Sequence, residues 1–216
     1  MDTSQILTIF LRGALGSRGR KRARRAAGFL GGNKGFLGTS AVLGAAGVAW
    51  GIYETMQQSA AAAPAALAPA SVPAAPNALV PPIPGVTPDD RGFPREVLRV
   101  VRLAVSAARA DGVLLPAERA LILSHAREAG VESVVEVELS APRPLSEIVT
   151  GVADDQARRD LYILAFTIVR ADEHVSGAER VYLAQLAHHL RLDAAAIAQL
   201  EADTASQIDA TPDSTL

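Results

Sequence analysis

No charged side chain stands between Glu54 and Asp89, and eight prolines fall among alanines over residues 59–92. Such a stretch cannot propagate a helix, because each proline removes a donor and clashes with the preceding turn. Its large apolar side chains, such as Leu67, Leu79 and Ile83, are too few among Ala and Pro to build a core. The chain is therefore divided in two, and residues 58–93 are expected to form a disordered Ala/Pro linker. At about 3.1 Å per residue, the 34 residues of 59–92 would reach up to roughly 100 Å.

The two sides of this divide differ in charge. Residues 1–53 carry Arg12, Arg18, Arg20, Lys21, Arg22, Arg24, Arg25 and Lys34 against the single acid Asp2, a net of +7. With a whole-chain net of −2, residues 54–216 hold −9. The basic end is suited to phosphate of some kind and the acidic body to water. Zero cysteines exclude disulfides, thiolate metal sites and a cysteine nucleophile.

Within the basic region, 1–34, residues 4–15 place Leu7, Phe10, Leu11, Ala14 and Leu15 on one helical face, the pattern of a helix lying on a membrane surface. Residues 35–53 contain no charge over 19 positions, and a helix of that length rises about 28 Å, one hydrocarbon thickness. Trp50 and Tyr53 stand where interfacial anchors belong, so residues 35–57 are expected to be a transmembrane helix. The positive-inside bias from Arg12 to Arg25 then places the N-terminus in the cytoplasm and the acidic domain on the other side. The lipid bilayer is thus an expected partner. Gly28/Gly32, Gly31/Gly35 and Gly47/Gly51 form three Gly-x-x-x-Gly pairs through which two such helices could associate as a homo-oligomer. Two rivals remain open: a cleaved signal followed by SAAAAPA at 59–65, and a nucleic-acid arm built on SRGRKRARR. Beside a spanning segment the basic run reads as a topology signal, and no nucleic-acid partner is expected.

From residue 94 the pattern becomes helical and no alternating strand appears, so the fold class is all-α, with a domain of about seven helices over 94–206 and a disordered tail at 207–216. Val97, Val101, Ala104, Val105 and Ala108 form the first stripe, and Pro116 opens a second helix closed by Gly130. Further helices are expected near 132–139, from Ser146, over 154–170 with Leu161, Leu164, Ala165 and Ile168 inward, over 177–190, and over 194–204 behind an Asp193 cap.

Inside this domain RADGVLLPAER (109–119) returns 61 positions later as RADEHVSGAER (170–180). Each copy reads as a helix end, a turn and the start of the next helix. Pro116 takes a first-turn position, and Ser176 with Glu179 reads as a capping box. Glu118 and Glu179 thus have a structural reason to sit near a positive helix end. Asp111 and Asp172 follow the preceding helix, whose dipole disfavours a carboxylate by about 0.3–1 kcal/mol. Either turn amides compensate them, or a hard cation, Ca²⁺ or Mg²⁺, does so between Asp111, Glu118, Asp172 and Glu179 if the two turns meet. Neither turn has the alternating oxygen ligands of an EF-hand loop, since Val113 and Leu115 are apolar and His174 and Ser176 stand in the other copy.

DGVLLPAER with its Ala/Leu-rich helix, the second D…ER turn and the closing LRLDAAAIAQLEAD resemble the tellurite-resistance TerB-like helical domain over residues 95–205. With the Gly-rich apolar segment and linker ahead, the whole is similar to the YebE family of bacterial inner-membrane proteins of unknown function. The resemblance implies a compact bundle of about seven helices, a single-pass inner-membrane location, and acidic turn residues Asp111, Glu118, Asp172 and Glu179 suspected of binding divalent metal. It brings no known reaction. Glu173-His174 depart from the pattern where the first turn has Gly112-Val113.

His125, His174, His188 and His189 form no two-histidine ligand spacing, and no nucleophile elbow or phosphate-binding glycine loop is present. An enzyme is not expected. The expected function is a non-catalytic, membrane-anchored interaction module with an unknown protein partner, binding a divalent cation through its acidic turns or no cofactor at all. A purely structural envelope protein and a metal-dependent hydrolase are the alternatives.

Overall fold

Two central helices organise the molecule in a computed structural model that describes residues 20–31, 40, 95–112, 114–171 and 175–211. In chain order the helices are α1 (Arg20–Gly31), α2 (Arg95–Ala108), α3 (Pro116–Glu128), α4 (Glu132–Ser140), α5 (Leu145–Ile148), α6 (Asp155–Arg170), α7 (Gly177–His189) and α8 (Ala194–Ala210). Among the described residues there is no strand, and the all-α expectation holds. The seven helices from α2 onward begin and end within a few residues of their expected bounds. The exception is α8, which runs on to Ala210 and buries Ile208 where a tail over 207–216 was expected.

α2 and α6 pack directly against each other, α2 also holding α4 and α5, and α6 holding α1, α7 and α8. Their buried faces repeat in the register of the turns. Val100, Val101, Leu103, Ala104, Val105, Ala107 and Ala108 lie 61 residues before Leu161, Tyr162, Leu164, Ala165, Phe166, Ile168 and Val169, and every one of the fourteen is buried. The α6 residue is the larger in every pair but Leu103/Leu164 and Ala104/Ala165, so small side chains of α2 make room for large ones of α6. Each fully buried Leu, Ile or Val is worth about 1.5–3 kcal/mol relative to exposure.

The register continues to the end of the following helix. Val131 N–H donates to Ala126 O at 2.9 Å and Leu192 N–H to Ala187 O at 3.0 Å, while Gly130 N–H reaches Arg127 O at 3.0 Å and Arg191 N–H reaches His188 O at 3.1 Å. Both ends are Schellman motifs, which place one residue in the left-handed region. Gly130 has φ 71° and Arg191, at the equivalent position, φ 57°. An eleven-residue likeness in sequence is thus the visible part of a duplicated unit, α2–α3–α4 and α6–α7–α8.

The N-terminal half departs from expectation. α1 docks on α6 and α8 by burying Ala23, Ala26, Phe29 and Leu30, with Arg24 outward. Gly28 comes so close to the end of α8 that a Cβ there would meet Thr211 Cγ2 at 3.0 Å. The expected transmembrane helix 35–57 lies outside the described residues except for Ser40, which is 5% exposed and donates through Oγ to Asp160 Oδ2 at 2.7 Å. Asp160 is itself buried and also accepts from Gln156 Nε2 at 2.8 Å. A residue held inside the helical domain by a buried carboxylate cannot also stand amid a lipid-spanning helix. Among the described residues, no helix is long and apolar enough to cross a membrane. The transmembrane helix and the single-pass inner-membrane location with a cytoplasmic N-terminus are therefore corrected. The physical reason is that a run of Gly and Ala is free of charge without being strongly hydrophobic. Small residues serve close packing within a chain equally well. The amphipathic helix expected over 4–15 and the linker 58–93 lie outside the described residues.

Candidate functional site

The duplicated turns are built from their caps outward. In the first, Gly112 N–H donates to Arg109 O at 2.9 Å, and Gly112 takes φ 82°, a conformation that costs glycine nothing. Leu115 is extended at φ −66°, ψ 150°, and Pro116 starts α3. Glu118 turns back to accept from Leu115 N–H at 3.0 Å. Leucine has no oxygen to return the bond, so this box is half made. In the second turn both arms are present: Ser176 Oγ accepts from Glu179 N–H at 3.2 Å, and Glu179 Oε2 accepts from Ser176 N–H at 2.7 Å. Glu179 is buried, whereas Glu118 is partly exposed. The difference follows from the completeness of the box and the packing of α7 on α6 and α5, while α3 packs chiefly on α4.

The four acidic residues singled out for a cation are thus placed as follows. Glu118 and Glu179 each cap their own helix. Asp111 is partly buried in the turn beyond α2. Asp172, with Glu173 and His174, lies outside the described residues. Among the described residues, no group of three or more His, Asp or Glu is gathered in a metal-holding arrangement. Of the histidines, His125 Nδ1 lies 3.5 Å from Glu128 Oε2, and His188 and His189 are exposed neighbours whose rings meet edge-on at 5.7 Å.

The arginines that open the two repeats are differently used. Arg109 Nη1 donates to Glu138 O at 3.4 Å, tying the first turn to α4. Arg170 reaches Asp209 Oδ2 at 3.7 Å and lies 6.0 Å from the Phe166 ring, tying the second to α8. In each unit the arginine therefore clamps the third helix against the first.

Among the buried polar groups that escaped the sequence reading, three bond or pair with side chains distant in sequence. Glu138 accepts from Arg143 N–H at 2.7 Å and lies 3.9 Å from Arg102 Nε. Asp160 holds Ser40. Tyr162 donates to Glu201 on α8, and burial first, then that hydrogen bond, raises its phenol well above its ordinary value. Each sits at an apolar-periodic helix position and was legible only as a polar interruption of an otherwise buried face.

Comparison with known proteins adds the following. A family profile described as "Protein of unknown function (DUF533)" matches residues 7–204. A protein from Yersinia enterocolitica, described as "Uncharacterized protein in ampR 5'region", is 28% identical over 102 residues, covering 45% of this chain and 71% of its own length. No solved structure matches.

Proposed function

Because the chain belongs to the DUF533 family of proteins of unknown function, its activity has to be argued from its own geometry, and we propose a non-catalytic helical interaction module whose duplicated acidic turns take a divalent cation, Ca²⁺ or Mg²⁺. One observation supports this most: the same helix–turn–helix unit occurs twice in one register, each copy setting an aspartate just past the end of a central helix. Asp111 and Asp172 are the carboxylates that meet the cation, while Glu118 and Glu179 cap the helices that follow. The likeness to a TerB-like helical domain, and to YebE-like proteins, belongs to this reading.

Calorimetric titration of the full chain with Ca²⁺ and with Mg²⁺ tests it. The full chain is required because α1 is part of the folded body. Saturable binding that D111N/D172N abolishes is expected; no saturable heat with either ion would remove the cation from the proposal. A second, purely structural reading is favoured by the amide bonds that Glu118 and Glu179 accept. Under it, D111A/D172A lowers the melting temperature and changes no binding.

A further inference from the structure

The basic run SRGRKRARR over residues 17–25 has no part in cation binding at the turns, and correction of the span removes the bilayer beside which it reads as a topology signal. Its last six residues, RKRARR, open α1 with five cations in six positions. No acid stands in the first turn of that helix. Cations at the N-terminal end oppose the helix dipole, so they do not serve the stability of α1 itself.

The docking of α1 fixes which side of it faces out. Ala23, Ala26, Phe29 and Leu30 are buried on α6 and α8, whereas Arg24 is exposed and Arg25 half-buried. By the helical period, position 21 shares the side of Arg24 and Arg25, away from Ala23, Ala26 and Leu30. Among the described residues no carboxylate pairs with Arg24 or Arg25, and Arg25 Nε is without a hydrogen bond.

Two classes of partner carry the phosphate that such a run attracts, and the docked face separates them. A helix that binds a lipid surface lays its apolar face into the headgroup boundary. That face of α1 is packed on α6 and α8 instead. A nucleic acid asks for charge alone: a duplex carries one phosphate charge per about 1.7 Å of its axis, close to the rise of about 1.5 Å per residue along a helix. Residues 54–216 hold −9 against +7 for residues 1–53, so a polyanion is steered away from the body and toward the basic end. We propose that α1 binds the phosphate backbone of double-stranded nucleic acid without preference for sequence. Such binding rests on net charge and counterion release and needs no fixed guanidinium geometry.

Fluorescence anisotropy of a labelled DNA duplex of about 20 base pairs, titrated with the full chain at about 50 mM salt, tests the proposal. Chelator is present throughout, so the result is independent of cation binding at the turns. Saturable binding is expected, at least tenfold weaker at about 200 mM salt. K21Q/R24Q is expected to weaken it at least fivefold with the melting temperature unchanged. K21R/R24K, which keeps both charges, should bind within about twofold of the native chain. Two duplexes of unrelated sequence should bind alike, and vesicles of phosphatidylglycerol and phosphatidylcholine at about 3:7 should sediment little of the chain. No anisotropy change at the lower salt, an affinity indifferent to salt, or undiminished binding by K21Q/R24Q would each overturn the proposal. Vesicle binding as strong as duplex binding would also overturn it and assign the run to a lipid surface.

Discussion

Arg191 occupies the left-handed position that Gly130 fills 61 residues earlier, and a side chain there costs about 1 kcal/mol. Arg191→Gly is therefore expected to raise stability by about 0.5–1 kcal/mol, visible as a higher melting temperature, whereas Gly130→Ala should lower it by a similar amount. The caps make the complementary case. Glu179→Ala should cost about 1–2 kcal/mol in urea denaturation, and Glu118→Ala about half that, because Glu179 is buried in a complete box and Glu118 closes only one arm. Tyr162 and Tyr182 supply a pH test. Burial raises both phenols, so the folded state favours their neutral forms. That stability is whole below about pH 10, the unfolded value, and is lost as pH rises beyond it, by about 1.4 kcal/mol per unit for each tyrosine. Urea midpoints for the native chain should fall above pH 10, and Tyr182→Phe should flatten the fall; equal slopes would contradict the assignment. At this scale, caps such as Ser176, Glu179 and Asp193 were legible because each bonds within three residues of itself. Arg191 was not, because nothing in its local sequence marks a position that the preceding Schellman turn imposes.

Elements show where local reading stops. Proline, glycine and short polar caps marked helix bounds of the acidic body within a few residues, the end of α8 excepted, since those residues act through their own backbone or bond to it locally. The docking of α1 depends on contacts between residues 23–30 and helices more than 120 positions away, and no local signal carries it. The same feature that marked a span, freedom from charge, also suits a segment packed on a protein. The bond from Ser40 to Asp160 decides between them. Asp160→Ala removes the buried acceptor of the Ser40 hydroxyl, costing about 1–3 kcal/mol of local stability. Trypsin is then expected to cleave the Arg20–Arg25 run at least fivefold faster than in the native chain, followed by mass spectrometry. An unchanged rate would mean that Asp160 does not hold the N-terminal segment.

For the whole molecule, duplication explains what composition left obscure: a small aliphatic core suffices because two similar units bury their central helices against each other. The all-α class, the helix order and the repeated turn were all legible, since each rests on periodicity or capping. The setting of the basic run was not, because the span beside it is removed only by the bond from Ser40 to Asp160, 120 residues apart. The functional reading joins the duplication to the aspartates, and amide chemical shifts of the full chain during Ca²⁺ titration test that union most directly. Saturable shifts are expected over residues 109–115 and 170–176 together, with one midpoint, and little change in the middle of α8. Shifts absent from both turns, or spread evenly over the acidic surface, would contradict it.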